Sequence, residues 1–147
     1  MVKVIGHRGA AGLEPENTLR SIGKAIELGV DQVEIDVRLT KDRRLVVIHD
    51  PTVGRTTNGQ GYVKDFTFEE LRRLDAGKGE RIPSLEEVLS LTKGKIVLQI
   101  ELKEEGTARP VVRLIESMDA EGDAILSSFI HGLLEDCLLY TSPSPRD

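Results

Sequence analysis

The chain has 147 residues, 39% apolar and 31% charged, with a formal net charge of −5. That allows one modest domain with a real core and leaves no broad basic footprint for nucleic acid. One cysteine, Cys137, excludes an internal disulfide. No apolar run reaches the length of about 18 residues needed to cross a membrane. The start Val2-Lys-Val-Ile5 lacks an apolar leader region or cleavage site, so no signal peptide and a cytoplasmic location are expected.

Val2 to Gly6 reads as a short buried strand ending in His7-Arg8-Gly9. Gly6, Gly9 and Gly12 let the following loop bring backbone close to a ligand. Pro15-Glu-Asn-Thr18 opens a helix with Asn17 as the expected N-cap, and Gly29 closes it. Residues 31–38 form the next strand, where Val33, Ile35 and Val37 alternate with Glu34, Asp36 and Arg38. The strand–helix–strand order predicts a right-handed βαβ unit with a parallel sheet. After the polar turn Lys41-Asp-Arg-Arg44, a short strand Leu45 to Ile48 ends in His49-Asp50-Pro51.

Residues 51–83 are expected to be an insertion packed over one end of the sheet, with turns at Gly54, Asn58-Gly59 and Gly61. Within it, the capping box Thr67-Phe-Glu-Glu70 starts a short helix to about Leu74. A second capping box, Ser84-Leu-Glu-Glu87, starts a helix to about Leu91. Ile96 to Lys103 alternates as a strand, Arg109 to Met118 is a helix with Pro110 in its first turn, and Asp123 to Phe129 is a further strand. Another helix is expected from His131. The Ser/Pro-rich tail, residues 138–147, breaks the pattern; it is expected to be unrelated to the fold and resembles translated read-through.

Chemistry-bearing residues fall at the C-terminal ends of successive predicted strands: His7 with Arg8, Glu34 with Asp36, His49, and Glu101 with Lys103. In parallel α/β architectures that edge is where ligands bind. The Glu34/Asp36 pair alone fits a solvated strand end as well as a metal site. The full set fits metal-assisted phosphodiester cleavage better. Glu34, Asp36 and Glu101 offer oxygens to one hard divalent cation, Mg²⁺ or Ca²⁺. Arg8 and Lys103 suit phosphate oxygens, and His7 and His49, with reference pKa near 6.5, suit an acid–base pair. A zinc site fits less well, because carboxylates dominate and Cys137 lies outside the set.

His7-Arg8-Gly9, Pro15-Glu-Asn-Thr18, Glu34-Ile-Asp36, His49-Asp-Pro51, Arg55-Thr-Thr-Asn-Gly59, Ile82-Pro-Ser-Leu85 and Ile100-Glu-Leu-Lys103 occur in that order. Together with Ser127-Ser-Phe129 they resemble the glycerophosphodiester phosphodiesterase family over residues 3–130. The resemblance implies a TIM barrel with a small insertion after the second strand. It also implies hydrolysis of a small-molecule glycerophosphodiester to sn-glycerol 3-phosphate and an alcohol with one divalent metal, and hence a place in glycerol and lipid metabolism. By matching position it gives Glu34, Asp36 and Glu101 as metal ligands, His7 and His49 as the acid–base pair, and Arg8 and Lys103 as phosphate contacts.

A TIM barrel needs eight βα units over about 250 residues. The sequence offers four barrel strands, near 3–7, 31–38, 96–103 and 123–129. The expected architecture over residues 1–137 is therefore the first half of a barrel, with open strand edges and an apolar inner face that favour self-association. The alternative to an enzyme is a half-barrel that binds metal or phosphate without turnover, inactive or in need of a partner. A phospholipase-D-like phosphotransferase on the same fold fits less well, because the insertion at 51–83 matches the hydrolases.

Overall fold

The computed structural model describes residues 3–128. The expectations for Phe129, the helix from His131, Cys137 and the tail lie outside those residues. Along the chain run β1 (Ile5–His7), α1 (Leu19–Leu28), β2 (Gln32–Leu39), β3 (Leu45–Val47), α2 (Phe68–Leu71), α3 (Leu85–Thr92), β4 (Val97–Leu102), α4 (Ala108–Ser117) and β5 (Ala124–Ser128). The strand order is β1-β2-β4-β5, all parallel, and β3 pairs antiparallel with β2. Among the described residues no helix is long and apolar enough to cross a membrane.

The alternation in β2 and β4 sorts their side chains onto two faces. Val33, Ile35 and Val37 stand beside Leu98, Ile100 and Leu102 in register, and all six are buried. They meet Ile22 and Ala25 of α1, Val88 and Leu89 of α3, and Val111, Val112 and Ile115 of α4 in one core. Parallel strands need helices to cover them, and this face is covered. The other face carries Glu34 and Asp36 of β2 and Glu101 of β4. The expected apolar inner face is thus mostly polar, with Ile5 and Ile125 exposed on the two outermost strands. Alternation along the central strands reserves that face for carboxylates.

A second apolar cluster joins Val46 and Ile48 to Val53, Val63, Leu71, Ala76 and Ile82. It packs residues 51–82 against the end of β3. Both capping boxes form. Glu70 Nα donates to Thr67 Oγ1 at 3.1 Å and Thr67 Nα to Glu70 Oε1 at 2.8 Å; Ser84 and Glu87 repeat the pair at 2.8 and 3.1 Å. Yet α2 stops at Leu71 instead of about Leu74. Residues 72–74 tighten into i→i−3 turns, with Arg73 Nα donating to the Glu70 carbonyl and Leu74 Nα to that of Leu71. A polar turn follows, in which Asp75 Oδ1 accepts from the amides of Gly77 and Gly79 and Asn58 Oδ1 from that of Asp75. Side-chain bonds of this kind compete with helical backbone bonds.

The expected N-cap of α1 also shifts by one. Thr18, not Asn17, is extended and accepts from Ser21 Nα at 3.1 Å. Asn17 instead adopts φ 56° and sends its side chain to Asp36. Gly29, at φ 76°, closes the helix as expected. Gly9 sits against the first turn of α1 at φ 82°, where a Cβ would collide with the Ser21 hydroxyl and lie 2.9 Å from Ile22 Nα. Gly9→Ala is therefore expected to lower unfolding stability by about 2–4 kcal/mol, read from urea melts. A change below about 0.5 kcal/mol would show that the loop re-forms without this contact.

Candidate active site

The register of the sheet assembles the predicted groups. His7 stands opposite Glu34 across β1 and β2. Asp36 stands opposite Glu101 across β2 and β4, and Glu101 opposite Ser127 across β4 and β5. The three carboxylates thus occupy adjacent positions on one face, Asp36 and Glu101 in the C-terminal halves of β2 and β4 and Glu34 beside the C-terminal end of β1. His7 Nε2 lies 3.6 Å from Glu34 Oε1. Arg8 takes the uncommon left-handed φ of 53°, and its amide donates to the same Glu34 oxygen at 3.3 Å.

Asp36 is the hub. It is 1% exposed. Its Oδ2 accepts from Asn17 Nδ2 at 3.1 Å and lies 3.6 Å from Arg8 Nε. Lys103 Nζ approaches Oδ1 to 3.8 Å. Two cations thus stand beside this carboxylate, as burial of a charge requires. Both residues expected to contact phosphate are therefore at the carboxylate cluster.

His49 arrives by a different route. It follows β3, and its side chain reaches the cluster through a chain of ion pairs. His49 Nδ1 lies 2.7 Å from Asp50 Oδ1. Arg55 forks onto Asp50 and, on its other side, onto Glu16. Glu16 then accepts from Arg8 Nη1 at 3.3 Å through both oxygens. The His49 carbonyl accepts from Arg38 Nε at 2.9 Å, while Arg38 Nη1 donates to Glu104 Oε2 at 2.9 Å.

Three electrostatic consequences follow. Glu34 is pushed up to about 7, first by burial and then by the neighbouring Asp36 carboxylate, with a smaller push from Glu101. Asp50 goes the other way: the Arg55 guanidinium, helped by His49, holds it well below the ordinary carboxylate range. Burial works against ionising Glu16, yet Arg55 and Arg8 keep it below its ordinary value.

Among the described residues four buried side-chain polar atoms lack a hydrogen-bond partner: Arg8 Nε, Asn17 Oδ1, Glu101 Oε2 and Thr92 Oγ1. The first three belong to the Asp36 neighbourhood. Such orphans are rare in folded proteins and ask for an explanation. Among the described residues no three His, Cys, Asp or Glu groups are drawn into the geometry of a metal site. The carboxylates turn instead to Arg8, Asn17 and Lys103, and to Ser127, whose hydroxyl donates to Glu101 Oε1 at 2.9 Å. The donor chemistry nevertheless fits a hard divalent cation. It offers oxygen ligands, one carboxylate oxygen with no partner, and one carboxylate that burial makes reluctant to ionise without a positive charge.

Reasoning from sequence assigned no site role to Glu16, Asp50, Arg55 or Ser127, and read Asn17 only as a helix cap. Glu16, Asn17, Asp50 and Arg55 sit inside the quoted motifs, so position flagged them; what they touch depends on how the loops after β1 and β3 meet. A cleft lined by Arg43, Arg44, Ser84, Glu86, Pro110 and Arg113 lies elsewhere and contains none of the predicted site residues.

Residues 7–134 match the model of the glycerophosphoryl diester phosphodiesterase family. The chain is 47% identical over 146 residues to a glycerophosphodiester phosphodiesterase of Caldanaerobacter subterraneus subsp. tengcongensis, covering 90% of this chain and 60% of that protein. It superposes on the crystal structure of a glycerophosphodiester phosphodiesterase from Agrobacterium tumefaciens with a TM-score of 0.90 at 35% identity, covering 97% of this chain and 64% of that one. An Oleispira antarctica phosphodiesterase, in complex with the product sn-glycerol-3-phosphate, gives 0.84 at 33% identity, covering 98% and 64%. The chain thus spans between 44% and 62% of the length of four curated relatives it matches. The parallel β1-β2-β4-β5 sheet, with helices on one face, is the expected TIM-barrel-type α/β fold, present in part.

Proposed function

Because the chain belongs to the glycerophosphoryl diester phosphodiesterase family, we propose that it serves metal-dependent hydrolysis of glycerophosphodiesters to sn-glycerol 3-phosphate and an alcohol. The observation that carries this reading is the row of Glu34, Asp36 and Glu101 on one sheet face with Arg8 and Lys103 beside it. Support comes from the product named for the Oleispira relative.

In this reading Glu34, Asp36 and Glu101 hold Mg²⁺ or Ca²⁺. The ion, when bound, supplies positive charge that polarises phosphoryl oxygens. Arg8 and Lys103 orient the phosphate, the first as a planar fork and the second as a point charge. One imidazole takes the proton of the attacking oxygen, either the substrate's glycerol 2-hydroxyl or water. The other returns a proton to the departing alkoxide. His7 and His49 share these two tasks.

The test is release of glycerol 3-phosphate from glycerophosphocholine, measured with and without EDTA. Release that EDTA abolishes and added Mg²⁺ or Ca²⁺ restores is the expected result; no metal-dependent release would sink the reading. A second reading, binding of metal or phosphate without turnover, draws on β1 and β5 standing at the two ends of the strand order among the described residues. Calorimetric uptake of the ion with no product would favour it.

A further inference from the structure

We propose that Arg55 is a positioning residue for His49, acting through Asp50 and anchored on Glu16; this rests on the hydrolase reading above. Every nitrogen of the Arg55 guanidinium is committed to two carboxylates. Nε reaches Asp50 Oδ2 at 2.8 Å and Nη2 reaches Oδ1 at 3.0 Å. Nη1 reaches Glu16 Oε1 at 2.9 Å and Nη2 reaches Oε2 at 2.8 Å. A planar fork used on both edges fixes the two carboxylates relative to each other, which a lysine cannot do.

What Asp50 does with its fixed position is the functional point. Its Oδ1 meets His49 Nδ1 at 2.7 Å. An ionised carboxylate only accepts, so the neutral ring carries its proton on Nδ1 and keeps Nε2 for proton traffic. Asp50 is ionised over the working range because Arg55 holds its pKa well below the ordinary carboxylate range. The His49 backbone is pinned separately by Arg38, so the freedom left to His49 is that of its ring. The other end of the brace is not loose either. Glu16 is also the partner of Arg8, and Arg8 lies beside Asp36. The segment after β3 and the loop after β1 are thereby held in one register, with an acid–base imidazole at one end and a phosphate-contacting guanidinium at the other.

A surface staple would do something different. Half-exposed ion pairs contribute little to stability, so a staple alone predicts a small change in melting temperature and no change in the ring. The test uses the 147-residue chain with ¹⁵N-labelled histidine, its His49 signals assigned by loss in His49→Ala. Well above the ordinary imidazole pKa, the parent shows the proton on Nδ1. Arg55→Gln populates both tautomers, because Asp50 is free to turn to solvent. In turnover, kcat falls by about 10- to 100-fold while KM stays within about threefold. Arg55→Lys, which keeps the charge and one contact, recovers part of the loss. Asp50→Asn acts in the same direction, and adding Arg55→Gln to it costs nothing more, since the two act as a unit. A single Nδ1–H tautomer in Arg55→Gln, whatever its melting temperature, overturns the proposal. If the parent releases no glycerol 3-phosphate, the hydrolase reading falls and the tautomer result alone decides the positioning role.

Discussion

Replacing His49 with alanine is expected to lower kcat by about 10²- to 10⁴-fold, the usual weight of a general acid or base, while divalent-ion affinity stays within about twofold of the parent. The separation follows from where the groups are anchored. Glu34, Asp36 and Glu101 are fixed by the pairing of β2 with β4. His49 comes from the end of β3 and makes its side-chain contact with Asp50. His7 is the less clean choice, because it lies 3.6 Å from Glu34 and its loss would disturb a carboxylate as well. Single-turnover product release gives the chemical step, and calorimetry with Mg²⁺ or Ca²⁺ gives the binding step. Retained turnover would remove His49 from the acid–base role. Lost ion binding would mean that the brace from Asp50 through Arg55 and Glu16 to Arg8 supports the carboxylates as well as the imidazole.

How much of this was legible in the sequence differs by element. The strands and their faces were, because Val33, Ile35 and Val37 alternate with Glu34 and Asp36 in a period that only a strand fits. The capping boxes were, because Thr67 with Glu70 and Ser84 with Glu87 satisfy each other locally. Asn17 was misread for a physical reason. As a capping residue it outranks Thr18 by type. What reverses that order is the pull of the Asp36 carboxylate, 19 residues away, on the Asn17 amide. The positive φ of Arg8 and of Asn17 has the same origin. Asn enters that backbone state more readily than most residues, but Arg does so only where tertiary contacts impose it. The path from His49 to Arg8 was unreadable for a related reason. Arg55 meets Glu16 across 39 residues of chain, and only the packing of residues 51–82 against β3 brings them together.

Glu34 supplies the second large effect. Apparent affinity for Mg²⁺ or Ca²⁺ is expected to rise with pH up to about 7, by at most about tenfold per unit for one displaced proton, and then to level off. The cause is that the ion-free fold holds Glu34 near 7, against an ordinary value of 4.5, through burial and the Asp36 carboxylate. The sign for stability runs the opposite way. Between about 4.5 and 7 the folded chain binds more protons at Glu34 than the unfolded chain does, so ion-free stability falls as pH rises through that window. Glu34→Gln removes the proton from both balances. The ion-free variant should lose less melting temperature than the parent between pH 5 and pH 8. Its ion affinity should be weaker and nearly independent of pH in that range. Calorimetric titrations at half-unit steps, paired with thermal melts in EDTA, read both. A parent affinity that is flat from pH 5.5 to 8 would sever Glu34 from the ion. The expected slope would identify one carboxylate as both the least comfortable group in the ion-free fold and the one a bound ion most relieves. Ion binding would then be the reason a buried strand keeps Glu34 two residues from Asp36, where packing alone favours an uncharged residue.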